Sequence, residues 1–399
     1  MKWLLCTAAF LLSAIIAPAQ ADNVVYEDSI RQNAKLLSFF VDRAGDLYPP
    51  GDVSVDDKAL RNRDLRRPFN RNESPDYATL RALYRWEWAN RTPRWRALAE
   101  LSATPLTPDA DFDQAWSLIQ QVLRAKLTAD LKALRNRHVM LLVHGFNNDF
   151  KDATAWYAKV EESIAAQQTD VAFVRMYWDG LSDMPLKIWG EAQYNGPSVG
   201  LGLRRILNQL PSNYPLRVFT HSSGAFVMTN ALGDGSGAFN PKALSEEYVL
   251  KATGAPDYEF PKLDDLRLAM LVPAQPTTAY RNFKQGQQGA VPARIILGTS
   301  PKDFATTKFF RVCRMAGATC MAVKPQQACA DVQRDLGVAA PRVSVVNFPA
   351  SHVPLVRHDH DVPAYMRDSQ WKDLLEAMLG DTLQVTDDTR RFCFPSPAA

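Results

Sequence analysis

The sequence predicts an α/β fold, a doubly wound and mostly parallel sheet behind an N-terminal helical layer. From His138 onward, short apolar runs alternate with segments of helical period, as a parallel sheet covered on both faces requires. The first run, His138-Val139-Met140-Leu141-Leu142-Val143, is continuously apolar, which fits a strand buried on both sides. Before it, residues 22 to about 106 show no regular strand pattern.

Taken in order, the chain opens on a targeting segment. Lys2 precedes an apolar stretch from Trp3 to Ala17, and Ala19-Gln20-Ala21 reads as a cleavage site, so the mature chain is expected to start at Asp22. The stretch is short for a membrane span, and no later one is long and apolar enough to cross a bilayer. Ser29 to Asp42 reads as a helix, with Ile30, Leu36, Leu37, Phe40 and Val41 on one face. Arg61 to Arg71 is an arginine-rich run, read as a solvated face. Tyr77 to Leu101 reads as helices broken at Thr92-Pro93, and Thr107-Pro108-Asp109 as the start of a long helix reaching Leu134.

The alternating part follows. Strand His138 to Val143 leads to helix Ala153 to Gln167, strand Val171 to Trp178, helix Pro197 to Leu210 and strand Leu216 to Thr220. A helix then runs from Ala225 to Leu232, where Gly233 can end it. After an insertion, Asp234 to Asp265, come strands Leu266 to Val272 and Ala293 to Leu297, a helix near Ala305 to Val312, strand Val343 to Phe348 and helix Ser369 to Leu379. The expected division is residues 1–21 signal peptide, 22–135 helical N-terminal region, 136–385 α/β domain and 386–399 C-terminal tail.

Composition narrows the function. Net charge is +3 with both signs interspersed, which argues against nucleic acid, whose phosphates call for a concentrated basic footprint. Past the signal, Cys313, Cys320, Cys329 and Cys393 form an even set that suits two disulfides in an exported chain, with three pairings open. Their spacing lacks the paired form of a zinc site.

One stretch carries chemistry. Thr220-His221-Ser222-Ser223-Gly224 joins a strand to a helix, the context of a nucleophile elbow. The match is partial, because Thr220 stands where a glycine is usual, and a serine between two elements also serves as a helix cap. A nucleophilic serine needs oxyanion donors, a base and an acid. The loop His144-Gly145-Phe146-Asn147-Asn148 after the first strand offers the Phe146 amide, to pair with that of Ser223. There His144 reads as a scaffold residue bonded within the loop, and Asn147 as a turn residue. Asp303, past the strand that ends near Leu297, is the candidate acid, although the macrodipole also favours an acid at a helix start. The preceding strand ends in Pro273-Ala274-Gln275, without a carboxylate. Of six histidines, three precede the last helix: His352, His358 and His360. His360 has the best spacing for the base, and the order Ser, Asp, His is then the one this fold demands. His138 reads as structural, and the His221 side chain as directed away from the elbow. A rival metal reading of His352, His358, Asp359, His360 and Asp361 finds no H-E-x-x-H spacing to support it.

The stretches LLVHGFNNDFKDATAWYAKV, VAFVRMYWDG, THSSGAFVMTNAL and ILGTSPKDFATTK resemble the α/β-hydrolase superfamily. They are most similar to a bacterial branch of largely uncharacterised serine hydrolases with an HGFNN loop and an H-S-x-G elbow. The resemblance spans roughly residues 136 to 380 and departs at Thr220 and at Ser223, where methionine is common. It implies a triad of Ser222, Asp303 and His360 and an oxyanion hole of the Phe146 and Ser223 amides. The expected activity is hydrolysis of a small or lipid-like carboxylic ester outside the cytoplasm, in the periplasm or medium, with no metal or organic cofactor. Amide or thioester cleavage, acyl transfer by the same triad, and a non-catalytic binding module are the alternatives. Trp178, Trp189 and Tyr194, read as part of a loop, are candidates for an acyl pocket or for ordinary packing, and the insertion for a pocket wall.

Overall fold

The computed structural model describes residues 35–49, 80–100, 111–134, 138–148, 150–178, 180, 185–234, 259–286, 289–303, 305–306, 319–338, 342–349, 360–382 and 385–394. Seven strands form one sheet in the order β1-β3-β2-β4-β5-β6-β7. They are β1 (Leu36–Val41), β2 (His138–Val143), β3 (Val171–Trp178), β4 (Leu216–His221), β5 (Arg267–Leu271), β6 (Arg294–Thr299) and β7 (Val343–Asn347). Every neighbouring pair is parallel. The winding reverses between β2 and β4, so their carboxyl ends flank the crevice where sheets of this kind place their ligands. β2, β4 and β5 are buried along their whole length, which is why their sequences lack the apolar–polar alternation of a half-exposed strand.

The helical reading of Ser29 to Asp42 is overturned over its described part. Residues 36–41 are edge strand β1, paired with β3 from Leu36↔Phe173 to Val41↔Trp178. A six-residue apolar run satisfies both periods, and pairing with a buried neighbour decides between them. At its end Asp42 Oδ2 accepts the amide of Leu80, the first residue of α1 (Leu80–Ala89). α1 and α2 (Pro93–Glu100) break where Thr92-Pro93 predicts. α3 (Phe112–Ala133) starts later than expected, capped by Asp111, which accepts the Asp113 amide at 2.9 Å.

α4 (Phe150–Ala165) follows β2, and α5 (Pro185–Leu207) follows β3. α5 begins well before Pro197, which lies inside it. Trp178 therefore ends a strand, and Trp189 and Tyr194 stand on a helix rather than in a loop. α6 (Gly224–Leu232) follows β4 and ends at Gly233 as expected. α7 (Cys320–Val323), α8 (Pro325–Leu336), α9 (Val362–Met366), α10 (Gln370–Leu379) and α11 (Asp387–Cys393) complete the chain. Within the segment expected as a C-terminal tail, residues 387–393 form α11, which a Cys329–Cys393 disulfide ties to α8. Cys320 is disulfide-bonded as well. The leader, Arg61 to Arg71, Thr107-Pro108-Asp109, Cys313 and most of the Asp234 to Asp265 insertion lie outside the described residues, as do residues 307–312 of the helix expected near Ala305. Among the described residues, no helix is long and apolar enough to cross a membrane.

Candidate active site

Ser222 stands on the turn from β4 into α6 with φ +53°, a left-handed conformation that is uncommon for serine. Two backbone hydrogen bonds, one to the end of β5 and one from the loop after it, hold it there. The Ser222 amide donates to Leu271 O at 3.0 Å, and its carbonyl accepts from Ala274 N at 3.1 Å. The turn also depends on Gly224, because a Cβ there would lie 2.5 Å from Val143 O and 2.6 Å from His144 O. Only glycine lets the start of α6 approach the end of β2 so closely. Thr220 departs from the glycine pattern without harm, since it is a ladder residue paired with Val143 and Met270. The positive φ falls on Ser222 itself.

The loop after β2 lies against this serine. A Cβ on Gly145 would sit 2.8 Å from Ser222 Cβ and 3.4 Å from Oγ. Phe146 therefore follows directly beside the serine, and Ser223 heads α6, where amides point out of the helix. His144 fixes the loop. Its Nδ1–H donates to Gly145 O at 2.7 Å, and its Nε2 accepts the Trp178 amide at 3.0 Å. Trp178 stacks on the imidazole at 5.6 Å and returns an indole N–H bond to His144 O at 2.7 Å. Since Nε2 is an acceptor the ring is neutral, and burial lowers its pKa to about 4. This agrees with the scaffold expectation for His144. Asn147 has φ +57°, as a turn residue, and Asn148, not anticipated from the sequence, donates to Phe146 O at 2.9 Å.

The acid lies past β6. Asp303 is fully buried and its two oxygens do different work. Oδ1 accepts the Thr306 amide at 2.8 Å and hydroxyl at 2.6 Å, a local turn of the kind expected where a helix begins. Oδ2 accepts His360 Nδ1–H at 2.8 Å and the Tyr365 hydroxyl. On the other side of the ring, Ser222 Oγ lies 2.9 Å from His360 Nε2. The structure thus brings Ser222, His360 and Asp303 into one hydrogen-bonded chain. Burial alone would raise the Asp303 pKa. The facing His360 and the bonds from His360, Thr306 and Tyr365 outweigh it and hold the carboxyl below its usual value. Burial would likewise lower the His360 pKa, but the Asp303 charge and hydrogen bond, with Asp361, leave it raised.

His221 does not point away from the site. Its Nε2 lies 2.8 Å from the His360 carbonyl oxygen, and the two rings are 4.9 Å apart. Side chains alternate along β4, so His221 faces the other way from Thr220; the His360 carbonyl is brought to it by the fold from 139 residues away. His352, His358 and Asp359 lie outside the described residues. His138 is buried within β2.

A parallel sheet wound on both faces, with a serine on a left-handed strand-to-helix turn at its switch point, defines the α/β-hydrolase fold. Within it, residues 119–261 match the family described as "Alpha/beta hydrolase of unknown function (DUF900)". That span includes the Gly145 loop and Ser222, whereas Asp303 and His360 lie beyond it. No curated protein and no solved structure matched the chain.

Proposed function

We propose that this chain is an exported serine hydrolase that cleaves carboxylic esters. The observation that carries the reading is the unbroken chain from Ser222 Oγ through His360 to Asp303, at 2.9 and 2.8 Å. Its members are separated by long stretches of sequence, and ordinary packing has no need to align a serine, an imidazole and a buried carboxylate. The left-handed turn at Ser222 and the family match over 119–261 support the same reading. Export is supported by the Cys329–Cys393 disulfide and the disulfide-bonded Cys320, since such bonds persist in oxidising compartments.

In this mechanism Ser222 Oγ attacks the ester carbonyl carbon while its proton passes to His360 Nε2. The Oγ–C bond forms, and the carbonyl electron pair moves onto oxygen, facing the Phe146 and Ser223 amides. Collapse breaks the bond to the leaving alkoxide, which takes the proton from Nε2. Water, deprotonated by His360, then attacks the acyl-enzyme, and the acid departs as Ser222 recovers its proton. Asp303 stays ionised, fixing the imidazole tautomer and offsetting its charge.

A fluorophosphonate probe tests the reading. The wild type is expected to label on Ser222 and Ser222→Ala not to label. Equal labelling of the two, or none of the wild type, would sink the proposal. An ester panel of graded chain length then defines the acyl preference.

A further inference from the structure

Tyr365 has no counterpart in the mechanism just given, yet its hydroxyl reaches the mechanism's one carboxylate. It is buried, and it lies five residues after His360 on the short helix α9. Phe348 packs edge-on against its ring at 5.3 Å. Its O–H donates to Asp303 Oδ2, the same oxygen that receives His360 Nδ1–H at 2.8 Å. The segment from His360 to Tyr365 is therefore tied to the acid at both ends, once through the base and once through the phenol.

The arrangement has a chemical consequence. A carboxylate offers about four lone-pair sites. Among the described residues, four donors reach the Asp303 carboxylate: the Thr306 amide, the Thr306 hydroxyl, His360 and Tyr365. Each charge-assisted bond drains negative charge from the oxygens. An acid drained on four sides stabilises an imidazolium less than one bound by the histidine alone. The base must stay neutral to accept a serine proton, so a carboxylate holding too much negative charge would raise the imidazole's proton affinity until the ring takes a proton from solvent and is silenced.

We propose that Tyr365 is a positioning residue that sets the basicity of His360 by sharing the Asp303 oxygen with it. The inference rests on the reading of Ser222, His360 and Asp303 as a triad. Beside Ser222, the titratable and charged groups around His360 among the described residues are Asp303 from the loop after β6, His221 at the end of β4, and Asp361 and Tyr365 from its own segment. His221 is neutral, with a pKa lowered to about 3, so Asp303 and Asp361 are the charges that govern the ring.

The test is Tyr365→Phe in the full chain, which keeps the ring and removes the one donor. His360 is titrated by NMR in Ser222→Ala and in Ser222→Ala/Tyr365→Phe, and kcat/KM for p-nitrophenyl acetate is followed against pH in the parent and in Tyr365→Phe alone. The expected result is a His360 titration shifted upward by about half a unit or more, with the acid limb of kcat/KM moving by the same amount. Thr306→Val, which removes a donor from the other oxygen, is expected to shift the titration in the same direction. If Tyr365 only packs, kcat falls or holds while the titration stays put, and the inference is overturned. An unchanged titration in both variants overturns it as well. A wild type that neither labels nor hydrolyses would defeat the triad reading instead, and the NMR titration would still decide the coupling.

Discussion

His221 Nε2 donates a hydrogen bond to the carbonyl oxygen of His360 at 2.8 Å. The residue before the candidate nucleophile thereby anchors the backbone of the candidate base, whose side chain Asp303 anchors from the other side. His221→Phe keeps an aromatic ring and removes the donor. We expect kcat/KM and the fluorophosphonate labelling rate to fall about 10- to 100-fold, the cost of a small misplacement of a catalytic group. Labelling at the parent rate would show that Asp303 alone positions the base.

The same variant reports on pH. Burial, with His360 alongside, lowers the His221 pKa from 6.5 to about 3. Between those values the unfolded chain takes a proton that the folded chain refuses. The stability this group contributes is complete above the unfolded value and drains away as pH falls toward the folded one. His144 acts in the same sense, while Asp42, raised to about 7 by burial and by Asp46, acts in the opposite sense. The difference between parent and variant isolates His221. Urea denaturation from pH 6.5 down to 4 should lose stability less steeply in His221→Phe, by up to about 1.4 kcal/mol per pH unit. Parallel curves would contradict the assignment.

Two glycines at the site should fail in different ways. A Cβ on Gly145 would press on Ser222 Cβ, so Gly145→Ala is expected to cut labelling by about 10²-fold while the chain still melts cooperatively. A Cβ on Gly224 would meet the carbonyls of Val143 and His144, so Gly224→Ala is expected to lower stability by about 1–3 kcal/mol. Thermal melts beside labelling rates separate the outcomes, and a Gly145→Ala protein labelling at the normal rate would refute the first.

The Cys329–Cys393 bond closes a loop with a sequence separation of 64 and joins α11 to α8. Cys393→Ser is expected to cost about 2–4 kcal/mol, read as a lower Tm than that of the oxidised parent. An unchanged Tm would mean that α11 is held by packing alone.

The reading of β2 to β7 from the sequence came within a residue or two at most strand ends, because strands buried on both faces are written as short, mostly apolar runs bounded by turn residues. Leu36 to Val41 was misread because its spacing suits a helix face and a strand equally. α11 was missed, although Cys393 gave a signal: a half-cystine seldom sits in a free tail. Asn148, His221 and Tyr365 escaped as partners of the site because each acts through a contact distant in sequence or directed at backbone.

By itself the sequence determined the alternation of strand and helix, the elbow at Ser222, the glycine loop at His144-Gly145 and the order of serine, aspartate and histidine. These are local matters of period, turn chemistry and chain order, and each is written in neighbouring residues. Only the tertiary structure decided that Leu36 to Val41 pairs with β3, that Cys329 bonds Cys393, and that His360 meets both Ser222 and Asp303. Those choices turn on distances between residues tens to more than a hundred positions apart, and the packing of the whole sheet sets such distances.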